Sequence, residues 1–414
     1  MRGYRLRIYM ELPVIRIPKF IDELSSDFSS LFPQHRQMKQ FQRLLTGFIL
    51  SEKHSIAHMN GIFMEHTNQS NLNRFITSQC WNVNDVNAIK ISMINRVENE
   101  GIVVIDDYIT QKYGKSLYGT DWHYDHAEGR NVFGQQIADC VFSGDGIYPL
   151  FSSVYVKKNS RWSGNDFKTK IELQMEHITQ LVNMELNFST VAMDIWYFCK
   201  KMVDHLNSLG KDWVAQCKSN RLIQSDRKWI SLNDFASEQI NKTSFRVIQL
   251  ADEKYFMKAF SVNMKGIGTV RLLISTKGGN DFKFYVSNRL DWNELAITSH
   301  YARRWDIEVW HREGKGSYGL KECGLRSGEA VSRYLTLSAL AHNLLEIASR
   351  ISPLYATLKK RACTPGLKQR WVILELVSQL ISLAAKMGDR ITKKIADGIL
   401  LPYRSTMNRR ITDY

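Results

Sequence analysis

The sequence has no uninterrupted apolar run long enough to cross a membrane. Its longest candidate, WVILELVSQLISLAAKMG at 371–388, is broken by Glu375, Gln379 and Lys386 and reads as an amphipathic helix. There is no CxxC pair, and the six cysteines (Cys80, Cys140, Cys199, Cys217, Cys323 and Cys363) are scattered without regular spacing. That excludes a recognisable disulfide framework or cysteine metal site and reads as reduced thiols in a cytoplasmic protein. The basic start, MRGYRLRIYMELPVIRIP, lacks the continuous apolar segment and small-residue cleavage site of a secretion signal. No internal repeat or low-complexity tract occurs. Acidic residues are in deficit: 41 Asp and Glu face 56 Lys and Arg, leaving a net charge of +15. With a membrane surface set aside, that excess points to nucleic acid as the anionic partner. What is present is enough for a large core, since 44% of 414 residues are hydrophobic, and the length calls for two or three domains.

From residue 20 to about 99 the apolar residues recur at three- and four-residue spacing, which predicts a helical region over 1–99. The pattern changes at ENEGIVVIDDY, where a Gly and an apolar run at 102–105 precede two adjacent aspartates. A short buried strand ending in carboxylates is expected there. NVFGQQIADCVFS and IYPLFSSVYVKK flank GDG at 144–146 and read as a hairpin. A helix over 167–186, a strand over 189–198 carrying Asp194, a helix ended by Gly210 and the strand DWVAQCK complete a mixed-sheet α/β pattern over 100–219. Residues 220–290 turn β-rich and read as an inserted subdomain, with Trp229, Phe256, Phe260, Phe282, Phe284 and Tyr285 expected mostly as strand core. Residues 291–350 read as the second part of the core, with the helix that carries Glu308, and 351–414 as a C-terminal helical region with a basic turn at 358–370.

The stretch SHYARRWDIEVWHREGKGSYGL at 299–320 has no Pro, and no Gly before Gly314, so it can hold four turns of helix. Tyr301, Arg304, Glu308 and Lys315 fall at i, i+3, i+7 and i+14 and would share one face. A salt-bridged solvated face is the plain alternative. Its context is two strand-end carboxylate positions, Asp107 (or Asp106) and Asp194. Ligand sites in open α/β sheets lie outside the carboxyl ends of strands, and clustered carboxylates there invite hard divalent cations. Such a site suits in-line displacement at a phosphodiester. DWHYDH at 121–126 offers two His and two Asp, but no second ligand pair completes a zinc site; the segment reads as leading into the second strand, with His123 or His126 either near the metal-binding carboxylates or hydrogen-bonded in a loop. His311 reads as a DNA contact or a solvated helix position.

The spacing Tyr301-x2-Arg304-x3-Glu308-x6-Lys315 resembles the Tyr-Arg-Glu-Lys signature of DDE transposases in the bacterial IS-four superfamily, including the IS-seven-oh-one-like group. IDDY at 105–108 resembles their first-aspartate strand and MDIWYF at 193–198 their second, while LLTGFILSEKHSIAHMNGIF resembles their N-terminal helical region. The resemblance spans roughly 35–350. It implies a ribonuclease-H-like mixed-sheet core interrupted by a β-rich insertion and flanked by helical N- and C-terminal regions, the first carrying DNA contacts. It implies catalysis and metal binding by Asp107, Asp194 and Glu308, the family placing its ligand directly before a Thr, here Tyr108. Two Mg²⁺ ions, replaceable by Mn²⁺, are implied, with Tyr301, Arg304 and Lys315 on DNA. The implied activity is cleavage of the element's terminal inverted repeats and joining to target DNA, by a dimer in the synaptic complex, on the bacterial nucleoid. An inactive DNA-binding relative and a nuclease without strand transfer are the alternatives.

Overall fold

A computed structural model of the protein describes residues 12–65, 67–126, 128–164, 167–250, 253–279, 281–351 and 365–387. The alternative starts Met1 and Met10, Cys363, most of the basic turn at 358–370 and the helix expected past Met387 lie outside the described residues. Within them, no helix is long and apolar enough to cross a membrane. The chain divides into two compact units: one of Met1–Met93, Ser116–Tyr118 and Arg312–Tyr414, the other of Ile94–Lys115 and Gly119–His311.

The first unit is helical. Helices α1 (Lys19–Ser25), α2 (His35–Leu50), α3 (Ile56–Gly61), α4 (Gln69–Thr77) and most of α5 (Val83–Val97) come from the N-terminal part, and α11 (Gly328–Ile351) and α12 (Pro365–Met387) from the C-terminal part. On α2, Phe41, Leu44, Leu45 and Phe48 repeat at i, i+3, i+4 and i+7 and are buried. Phe41, Phe28, Phe32, Phe75 and Trp81 form one aromatic cluster, with Phe32 and Phe41 centroids 4.7 Å apart. The buried Arg333 of α11 donates to the carbonyls of Ile76 and Trp81 at 3.1 and 2.9 Å, so its charge ends a helix and a loop instead of standing alone.

The second unit is built on one sheet. Its first strands are β1 (Gly101–Gln111), β2 (Asp121–Asp125), β3 (Arg130–Ser143) and β4 (Ile147–Tyr155). Then come α6 (Lys170–Asn183), β5 (Phe188–Met193), α7 (Lys200–Ser208) and β6 (Asp212–Cys217). The core order is β4-β3-β1-β5-β6, with β3 antiparallel to β1 and β1, β5 and β6 parallel. That is the ribonuclease-H-like order. The β1–β3 ladder is close enough that a Cβ at Gly134 would lie 2.1 Å from the Thr110 carbonyl oxygen, which fixes glycine there.

After β6 the chain makes β7 (Leu222–Ser225), β8 (Lys228–Ser231), α8 (Leu232–Lys242), β9 (Arg246–Leu250), β10 (Glu253–Met264), β11 (Gly268–Thr276) and β12 (Phe282–Ser287). This β-rich insertion does not fold apart from the core. Phe284–Ser287 of β12 pairs antiparallel with Val214–Cys217 of β6, so the insertion prolongs the same sheet in the order β6-β12-β11-β10-β7-β8. The reason is the free edge of β6, whose unpaired backbone groups β12 satisfies. Phe282 and Phe284 are buried as expected, whereas Trp229 and Phe256 are exposed.

Two expectations are corrected. β1 does not stop at its aspartates but continues to Gln111, because Tyr108, Ile109 and Thr110 keep pairing with β3. And 299–320 is not one helix: α9 (Glu294–Ala302) ends, and α10 (Trp305–Ser317) begins after a turn at Arg303 and Arg304. No Gly or Pro causes that break. The Arg303 guanidinium donates to Ser143 Oγ and the Gly144 carbonyl, and Ser143 Oγ donates to the Asp306 carboxylate, tying the junction to the β3–β4 hairpin.

Candidate active site

Pairing between β1 and β5 stops at Ile105 and Met193, so Asp106, Asp107 and Asp194 are the first residues past the carboxyl end of a parallel pair. Successive side chains on a strand point to opposite faces. Asp106 faces the turn before α10, where its Oδ2 lies 3.4 Å from an Arg304 guanidinium nitrogen; another nitrogen of Arg304 is 2.5 Å from Glu308 Oε1 of α10. Asp107 is held differently. It accepts from Gln136 Nε2 at 2.6 Å, Lys170 Nζ at 2.9 Å and the Tyr197 hydroxyl at 2.8 Å. Lys170 opens α6, whose start is fixed by a capping box between Thr169 and Glu172.

Asp194 sits in the turn after β5, where its Oδ1 accepts the backbone N–H groups of Trp196 and Tyr197 at 2.9 and 3.2 Å. Burial raises its carboxyl above the ordinary range, although those two N–H groups pull the other way. Burial and the nearby Asp194 charge push Asp106 up to about 7. Burial, then the Asp107 carboxylate, raises the Tyr197 hydroxyl well above its usual value, so it stays a donor to Asp107.

Of the other expected residues, Tyr301 is on α9, donating to Gln216 at 3.1 Å and packing on Tyr285 at 4.6 Å. Arg304 lies in the turn, and Lys315 is in the last turn of α10, in the segment belonging to the helical unit. The signature is therefore spread over two helices and a turn. His311 is neither solvated nor outward: it packs on Tyr108 at 4.5 Å, with Nε2 3.3 Å from Asp139 Oδ2 but not aligned for a hydrogen bond. His123 is buried, which lowers its basicity, and the His126 ring lies beside that of Trp196, tilted by 34°.

Asp139 of β3 joins the site without belonging to any of the sequence motifs. It lies opposite Asp106 in the ladder, is fully buried, and accepts from Trp310 Nε1 of α10 at 2.8 Å and from Ser152 Oγ at 2.7 Å. Its signal was available: an acid within the apolar run IADCVF has to be a paired, buried charge.

Among the described residues no three carboxylate, imidazole or thiol groups stand close enough to hold a metal as they are. The donor set still suits a hard cation. Asp106 and Glu308 share the Arg304 guanidinium, a cation already bridging them, and Asp106 and Asp194 each suffer from excess negative charge or burial.

Residues 145–351, half of the chain, match the family described as "Archaeal putative transposase ISC1217", and residues 27–144 match the one described as "DDE superfamily endonuclease". A curated relative, described as "Probable transposase for insertion sequence element IS701" from Microchaete diplosiphon, is 25% identical over 227 residues. That match spans 51% of this chain and 57% of the relative's length. Among solved structures, a piggyBac transposase synaptic complex with hairpin DNA aligns with a TM-score of 0.46 at 11% identity, covering 92% of this chain and 82% of that one. The Drosophila P element transposase strand transfer complex aligns at 0.21 and 8%, covering 89% and 80%. Both scores are too low to add to the fold, which rests on the strand order.

Proposed function

We propose, given that this chain belongs to the transposase family matched by residues 145–351, with an IS701 relative, that it cuts DNA at the ends of an insertion sequence and joins them to target DNA. The observation carrying this reading is the Asp106–Arg304–Glu308 bridge beside Asp194, past the carboxyl end of β1 and β5. The family's DDE chemistry depends on divalent metal, and we assign two Mg²⁺ ions, replaceable by Mn²⁺, to Asp194, Glu308 and one aspartate of β1. The face shared with Glu308 favours Asp106 over Asp107, which is engaged by Lys170, Tyr197 and Gln136.

Bound there, the ions would supply Lewis acidity to an in-line displacement. The protein's own contribution is to position and to balance charge. A water attacks the phosphodiester at the element end, the P–O3′ bond breaks and a 3′-hydroxyl leaves; that hydroxyl then attacks a target phosphodiester and displaces its 3′-oxygen. Arg304 turns its guanidinium fork from the carboxylates to the added phosphate charge, and Lys315 contributes a further cation along the bound DNA. Tyr301, held by Gln216 and Tyr285, supports the α9 end of the turn that aims Arg304. A dimer bridging two ends, an N-terminal helical region on DNA and a cytoplasmic location on the nucleoid complete the proposal.

The test is cleavage and joining of labelled DNA carrying the element's ends, with Mg²⁺ or with chelator, in the intact chain and in Glu308→Gln. Metal-dependent joined product that disappears in the variant while end binding persists is the expected result. Cleavage without joining points to a nuclease, and binding without cleavage by either protein to an inactive relative.

A further inference from the structure

The same face of the molecule that follows Asp194 carries a feature the carboxylates do not use. Trp196 is 57% exposed, two residues past Asp194, and its backbone N–H is fixed on that aspartate. Its ring lies 5.2 Å from the His126 ring, which lies 4.9 Å from the ring of Tyr124, itself 52% exposed on β2. Three rings in a row, two of them largely bare to water, are costly on a surface unless something covers them. Lys218 Nζ sits 4.9 Å from the centre of the Trp196 indole. There the surface opens into a cleft of about 520 Å³ whose lining includes Lys218, Arg221 and Lys265 and, among the described residues, no carboxylate. Arg221 is braced by its bond to the Phe198 carbonyl at 2.8 Å.

We infer that this strip is a track for unpaired nucleotides of a DNA strand running on from the carboxylates, with one base stacked on Trp196. The ligand class follows from the pairing of features. Aromatic faces accept any base, and cations beside them take the backbone phosphates, which is how single strands are held without sequence preference. A protein partner would not require the cations, and a duplex could not reach the ring faces with its bases stacked. The inference rests on the proposed DNA cleavage, because only a strand engaged at Asp194 would lead here.

The experiment uses the full chain and two labelled oligonucleotides of equal length, oligo-dT as single strand and a blunt duplex, read by fluorescence anisotropy over a salt series. Trp196→Ala is expected to weaken single-strand binding by roughly tenfold and leave duplex binding nearly unchanged. Trp196→Phe, which keeps a ring, retains most of the single-strand affinity, and Lys218→Ala flattens the salt dependence for single strand. The exposure of Trp196 makes misfolding of these variants easy to exclude by their melting curves. No loss in Trp196→Ala, or an equal loss for both oligonucleotides, overturns the track. If the unsubstituted chain binds neither DNA, the proposed function fails with it; metal-dependent cleavage by a chain whose Trp196→Ala shows no single-strand defect overturns the track alone.

Discussion

At the scale of single residues the sharpest contrast is between two neighbours, Asp106 and Asp107. They differ in face, and therefore in company. Asp106 looks toward Arg304 and, through it, Glu308; Asp107 looks toward α6 and is a hub for Lys170, Gln136 and Tyr197. Replacing Asp106 by Asn removes a charge the chemistry needs and is expected to lower single-turnover cleavage on the order of 10³-fold or more. Asp107→Asn leaves oxygen for its donors but removes the counter-charge of Lys170, so it is expected to cost about 1–3 kcal/mol of stability with a smaller loss of rate. Rapid-quench cleavage and thermal melting of both variants check this, and the reverse ranking of rates would assign the metal to Asp107. The sequence could not make this choice. Adjacent aspartates in IDDY carry the same local signal, and only the β3 register and the helix packed on each face tell them apart.

At the scale of elements, the position of Glu308 is set by how α10 is anchored. The turn at Arg303 and Arg304 is tied to the β3–β4 hairpin, and two residues past Glu308 the Trp310 indole is bonded to buried Asp139. Trp310→Phe keeps the packing but leaves an oxygen of Asp139 one donor short, which is expected to cost about 1–3 kcal/mol. Because the fault lies in the support of Glu308, kcat should fall while the KM for DNA stays near that of the unsubstituted chain; an unchanged kcat would make Asp139 purely structural. Strand periodicity, the GDG hairpin and the helices of the core were all readable, since each is encoded within a short window. Four features were not. The break between α9 and α10 comes from Ser143 and Gly144, about 160 residues away, and leaves no Gly or Pro mark. The length of β1 depends on β3 as a partner. Helix α8 was hidden inside a β-rich block, although Ser231 caps it by accepting the Asp234 N–H and Leu232, Phe235 and Ala236 give it a buried stripe. The union of the insertion with the core sheet was equally out of reach, because edge pairing is a matter of assembly and not of local pattern.

At the scale of the whole molecule, a chain with a net charge of +15 keeps a concentrated negative site, and that contrast has a consequence for stability. Burial, followed by the Asp194 charge, moves Asp106 from the ordinary 3.8 up to about 7 in the folded chain. Between those values the folded state holds a proton that the unfolded state has released. Folding stability without metal must therefore fall as pH rises through that window, the contribution being fully present below about 4 and lost above about 7. The size is about 2–4 kcal/mol after allowance for the side chain's residual exposure. Melting in chelator should thus shift down from about pH 5 to about pH 8, and Asp106→Asn should flatten the shift by removing the titrating group. Mg²⁺ should restore the loss at the higher pH in the unsubstituted chain, since a ligand bound only by the folded state raises its stability by mass action. It should do so far less in Asp106→Asn. A downward shift of equal size in both proteins would place the pH dependence elsewhere, and a Mg²⁺ effect of equal size in both would remove Asp106 from the cation site while leaving Asp194 and Glu308 to be tested in the same way.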